Sequence, residues 1–136
     1  MIHFSKREDY GIILISELAK SYSKKVVPLS KIAKKHKIPL LFLRNIASDL
    51  RRSNLIDAQE GKNGGYKLKR SPALIQVGEI IKALSKGPLF SCCQDTKDGR
   101  CIADNCPHGL SLRRAHNHFI DKLTKITLDK LENNIW

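Results

Sequence analysis

The sequence predicts a mainly α protein with a small β-hairpin wing and a long C-terminal dimerisation helix. Three observations predict it. Apolar residues recur at helical spacing in several separate stretches of the first 85 residues. Two short strand-like runs flank the Gly-rich turn Glu60-Gly61-Lys62-Asn63-Gly64-Gly65. A narrow apolar stripe, Leu112, Ala115, Phe119, Leu123 and Ile126, steps by 3, 4, 4 and 3 residues near the C-terminus.

Each element has its own local reason. Tyr10, Ile13, Leu14 and Leu18 place a first helix over about 6–22. Ser30 is expected to cap a short second helix, Lys31 to His36. Lys37-Ile38-Pro39 reads as a tight turn, and Pro39 can open a third helix because its missing N–H is not needed there. Leu40, Leu43, Ile46, Ala47 and Leu50 line one face of that helix, which ends near Ser53-Asn54. Leu55 to Gln59 and Tyr66 to Lys69 then read as the two strands of a hairpin. Val77, Ile80, Ile81 and Leu84 mark a fourth helix, closed by Gly87-Pro88. The long striped helix starts from Pro107, and Thr127 is expected to cap a last short helix, Leu128 to Asn134.

Charge is uneven along this framework. The 136 residues carry a formal net charge of +12. Residues 1–70 hold 16 Lys and Arg against 6 Asp and Glu, whereas residues 71–136 hold 9 against 7. A basic first half points to a polyanion, with nucleic acid the leading candidate. No run approaches the length of a membrane span, and the N-terminus lacks the pattern of a secretory signal, so a cytoplasmic protein with no membrane partner is expected.

Helix, short helix, tight turn, helix and hairpin is the order of a winged helix-turn-helix. Lys31, Lys34, Lys35, Lys37, Arg51 and Arg52 surround the turn and third helix, where phosphates would lie. Arg44 and Asn45 fall off the apolar face and suit guanine and adenine edges. Lys62 and Asn63 sit at the wing tip, beside glycines that permit close backbone approach.

All four cysteines, Cys92, Cys93, Cys101 and Cys106, fall within a stretch of fifteen residues. In a reducing compartment such a cluster favours metal or redox chemistry over disulfides. Thiolates suit iron–sulfur clusters or zinc, and the tight Cys-x2-Cys pairs usual for zinc are absent. Adjacent cysteines rarely bind one metal ion, so one of Cys92 and Cys93 is expected to bind together with Cys101 and Cys106. The organisation is therefore a DNA-binding domain over 1–86, a cysteine loop over 87–107, and a dimerisation helix with a C-terminal segment over 108–136.

The chain resembles the Rrf2 family of winged-helix regulators. The resemblance runs through Asp9-Tyr10, Leu29-Ser30-Lys31-Ile32-Ala33, Ile38 to Leu43, Gly64-Gly65-Tyr66-Lys67-Leu68, Ile75 to Leu84, and Ile126 to Leu131. Its most specific part is Gly64-Gly65-Tyr66 followed by the cysteine cluster. It implies a homodimeric transcription factor that binds double-stranded promoter DNA. It also implies a 2Fe–2S or 4Fe–4S cluster held by three loop cysteines and one further ligand. By likeness to members that serve iron–sulfur assembly or sense nitric oxide, that ligand is His108 or Asp9, with Glu8 a further acid in the same turn. The positions used for base contacts fall on Pro39, Leu41, Arg44 and Asn45, of which Pro39 and Leu41 are apolar. The loop, Cys93-x7-Cys101-x4-Cys106, departs from the common spacing of five, and Glu60 stands where many wings carry arginine.

The function expected is a regulator that senses redox, nitric oxide or iron–sulfur status. The alternatives are a small iron–sulfur electron-transfer or cluster-delivery protein, and a zinc- or thiol-dependent regulator without iron. No catalytic constellation is recognisable, so no enzyme activity is expected.

Overall fold

The computed structural model describes residues 5–85 and 109–133. In chain order they form α1 (Lys6–Lys20), α2 (Leu29–His36), α3 (Leu40–Arg52), β1 (Ile56–Gln59), β2 (Gly65–Leu68), a 3-10 turn (Pro72–Leu74), α4 (Val77–Leu84), α5 (Gly109–Thr124) and α6 (Leu128–Glu132).

A capping box starts α1. The Ser5 backbone N–H donates to Glu8 Oε2 at 2.7 Å, and the Ser5 hydroxyl donates to the same carboxylate. The helix packs on both α3 and α4. Its buried face is therefore wider than the four-residue stripe expected, and takes in Gly11 and the fully buried Ile15.

The expected cap at Ser30 is not formed. Helix α2 begins at Leu29, one residue after Pro28, which holds an extended conformation. The cause lies upstream. Val27 and Tyr66 exchange two backbone hydrogen bonds, at 2.8 and 2.9 Å, so Val27 forms an isolated antiparallel bridge beside β2. Pro28 must then turn the chain, and its carbonyl accepts the Lys31 N–H at 3.1 Å. Ser30 is left exposed inside the first turn.

The hairpin is antiparallel, with Ile56 opposite Leu68, Asp57 opposite Lys67, Ala58 opposite Tyr66 and Gln59 opposite Gly65. Gly65 has an intramolecular reason. A Cβ there would lie 2.6 Å from the Val27 carbonyl carbon, inside the bridge that anchors the wing.

One core joins these elements. Leu14, Ile15, Leu43, Ile46, Leu50, Ile75 and Ile80 are all fully buried in it. Leu128, at the start of α6, is fully buried in the same core. The segment before α6 pairs with the start of α4: Val77 N–H donates to Ile126 at 2.9 Å, and Leu128 N–H donates to Ile75 at 2.8 Å. Ile126 therefore lies beyond the end of α5, not on its seam, because its carbonyl is turned to Val77. Along α5, Leu112, Phe119, Ile120 and Leu123 are half-buried and Ala115 is exposed. Among the described residues, no helix is long and apolar enough to cross a membrane.

Candidate nucleic-acid interface

The turn between α2 and α3 is made by Lys37, which takes the left-handed conformation at φ 54° and ψ 40°. The Ile38 N–H returns to the Ala33 carbonyl at 3.0 Å, which closes α2. Pro39 then stands at the start of α3. Leu43, Ile46, Ala47 and Leu50 turn inward. The opposite face of α3 presents Leu41, Arg44, Asn45, Arg51 and Arg52 to solvent. At the far end Asn54, at φ 58°, ends the helix, and its Oδ1 accepts from Lys69 Nζ at 2.9 Å.

The cations proposed for phosphate contact, Lys31, Lys34, Lys35, Lys37, Arg51, Arg52 and Lys62, are all exposed, as is Asn63. They are not electrically equivalent. Lys35 Nζ lies 2.9 Å from both Glu17 oxygens, and Lys20 and His36 approach the same carboxylate at 3.2 Å. Burial opposes ionisation of Glu17, but the hydrogen bonds from Lys35 and Lys20, with the His36 ring close by, outweigh it and bring its pKa down to about 2. Arg52 donates to Asp49 at 2.8 Å, and Asp49 also pairs with Arg7 on α1. Among the described residues, no acid pairs with Lys31, Lys34, Lys37, Arg44, Arg51 or Lys62.

Two further sets of residues flank this surface. Lys24, Lys25, Lys67 and Lys69 line an open hollow of about 500 Å³ beside the outer face of the wing. Strand alternation could have placed Lys67 and Lys69 outward, opposite to buried Leu68. Their meeting with Lys24 and Lys25 depends on the Val27 bridge, which no local pattern announces. Lys6 shares a groove with Tyr10, Pro39, Leu41, Phe42 and Asn45, where α1 meets the start of α3.

The cysteines Cys92, Cys93, Cys101 and Cys106, with His108 and the expected stop at Gly87-Pro88, lie outside the described residues. Asp9 is exposed in the first turn of α1. Glu8, by contrast, is 7% exposed and engaged by Ser5 and by Ser85 Oγ at 3.0 Å. Those bonds already occupy both oxygens of the Glu8 carboxylate. Among the described residues, no three His, Cys, Asp or Glu side chains cluster as a metal site.

A solvent-facing α3, a tight turn from α2 and a wing anchored on Val27 define a winged helix-turn-helix protein. The chain belongs to the Rrf2 family of iron-dependent transcriptional regulators, whose pattern it matches over residues 4–134. It is 31% identical over 125 residues to the HTH-type transcriptional regulator IscR of Pectobacterium carotovorum, covering 92% of this chain and 76% of that one. Among solved structures it resembles CymR, the global cysteine regulator of B. subtilis, with a TM-score of 0.78 and 26% identity over the whole of both chains. IscR of T. potens shares the fold, with a TM-score of 0.77 and 24% identity over 98% of this chain and 88% of that one. The protein is thus a transcriptional regulator of this family.

Proposed function

We propose that the protein binds double-stranded promoter DNA as a homodimer and senses redox, nitric oxide or iron–sulfur status through a cysteine-ligated iron–sulfur cluster. The observation that carries the DNA reading is the exposed face of α3, where Arg44 and Asn45 stand among cations that no acid in the described chain neutralises. On this reading α3 enters a major groove, and Lys31, Lys34, Lys37 and Arg51 contact phosphates at its edges. Lys62 and Asn63 at the wing tip reach the flanking backbone. The half-buried apolar stripe of α5 supplies the contact between two copies.

The donor set suits the cluster. Four soft thiols lie within fifteen residues, and the Asp9 carboxylate is exposed rather than consumed by a cap. Cys93 or Cys92, with Cys101 and Cys106, would hold it, and Asp9 or His108 would supply the remaining ligand. Such a group provides a centre that responds to electrons, oxygen or nitric oxide. Glu8 ties the first turn of α1 to Ser85, so α1 and the end of α4 are held together on the approach to the cysteine stretch. A change among the cysteine ligands would alter how α5 meets its partner, and with it the spacing of the two α3 helices.

The absorption spectrum and iron content of anaerobically purified protein test the cluster. Broad visible absorption with stoichiometric iron and sulfide is expected; a colourless protein filled with zinc would refute it. Promoter-DNA affinity with and without the cluster tests the coupling, and equal affinities would remove the sensing step.

The similarity to a cysteine regulator favours a second reading, a thiol-based regulator without iron. On that reading the same cysteines respond as free thiols. Iron-free protein whose DNA affinity changes with thiol oxidation alone would select it.

A further inference from the structure

We infer that Leu41 reads the 5-methyl group of a thymine, so that the operator of this protein carries an A·T pair opposite the start of α3. The inference rests on the DNA-binding reading above and names one base contact within it.

Leu41 is 71% exposed, the highest value among the large apolar side chains described, whereas Leu43, two residues on, is fully buried. It belongs to the first turn of α3, the part of a recognition helix that reaches base edges. Its surroundings are shaped. Pro39, Phe42 and Tyr10 line an open groove of about 450 Å³ beside it, together with Lys6 and Asn45. Tyr10 and Phe42 meet edge to face, with ring centroids 5.7 Å apart and planes at 85°, so each ring packs against the other.

The surrounding charge selects the occupant. Lys6 lines the groove, and Lys37 and Arg44 are exposed on either side of Leu41 in the sequence, which suits a polyanion that carries one apolar group. In the major groove that group is the thymine methyl; no other base presents a carbon substituent there. Asn45 stands four residues after Leu41, on the same side of the helix. Its amide suits the N6 and N7 atoms of adenine. The pair therefore fits neighbouring A·T base pairs, one read through a methyl and the other through hydrogen bonds.

The test uses the full chain, purified anaerobically. Tight-binding duplexes are first selected from a random-sequence library, and each thymine is then replaced singly by deoxyuridine, which removes only the methyl. Burial of one methyl predicts about a fourfold loss of affinity at one position in each half-site. In Leu41→Ala that thymine-to-uracil ratio falls to about one, while circular dichroism confirms the fold. If no single replacement matters although selected duplexes still bind, or if the loss is the same in Leu41→Ala, the assignment to Leu41 is wrong and the DNA reading stands. If no duplex is retained even at low salt, the DNA reading fails, and this inference with it.

Discussion

Ser85 donates a hydrogen bond to Glu8 at 3.0 Å, joining residues 77 positions apart. One carboxylate thereby caps α1 through Ser5 and holds the residue that ends α4. Glu8 is nearly buried, so its loss strands polar groups on two elements. Glu8→Ala is expected to cost about 2–3 kcal/mol and Ser85→Ala about 1 kcal/mol, measured by urea unfolding. Glu8→Gln retains an acceptor and is expected to fall between wild type and Glu8→Ala. Equal stability of Glu8→Ala and wild type would mean that this junction contributes nothing to the fold.

The wing depends on a glycine in a comparable way. Gly65 passes so near Val27 that a methyl group would displace its backbone. The two hydrogen bonds between Val27 and Tyr66 would then open. Gly65→Ala is expected to destabilise by about 2 kcal/mol, near 1 kcal/mol for each bond. Faster amide hydrogen exchange at Val27 and Tyr66 is the specific sign; unchanged exchange there would contradict the proposed cause.

Acid sensitivity follows from Glu17. Its folded pKa of about 2 lies below the ordinary 4.5, so its contribution is complete above pH 4.5 and is lost as pH falls toward 2. Lys35 and Lys20 are more than half exposed, and solvent screening reduces the gain to about 1–2 kcal/mol. Glu17→Gln is expected to lower stability by that amount at pH 7 and to flatten the slope between pH 4.5 and 2. Parallel stability curves for the two proteins across that interval would show that other carboxylates dominate.

The order of elements was legible because each carries its own local signal. Leu43, Ile46, Ala47 and Leu50 repeat at helical spacing, and Gly61 with Gly64 breaks the chain between two strands. What escaped reading depends on pairs far apart in sequence. Val27 meets Tyr66 through backbone atoms that leave no trace in side-chain pattern, and this moved the N-cap of α2 from Ser30 to Pro28. Ile126 continues the apolar stripe of α5 by spacing, but its carbonyl is taken by Val77. At the interface, exposure of Arg44 and Asn45 followed from the apolar face behind them. The pairing of Lys35 with Glu17 did not, because it joins helices whose packing no local window reveals.

That pairing divides the basic residues into two groups with different consequences for DNA. A lysine that neutralises a phosphate releases a counterion and steepens the salt dependence of binding. Lys31 and Lys34 have no acid partner among the described residues, whereas Lys35 is held by Glu17 and Arg52 by Asp49. Lys31→Ala or Lys34→Ala is therefore expected to reduce the slope of log affinity against log salt by about 1 per subunit. Lys35→Ala and Arg52→Ala are expected to change it much less. In a Glu17→Gln background Lys35 is released, and Lys35→Ala should then act as strongly as Lys34→Ala. Binding titrations across a salt series, with the four proteins of the Glu17 and Lys35 cycle, measure that coupling directly. A Lys35 effect that is the same in both backgrounds would show that Glu17 does not withhold the lysine from phosphate.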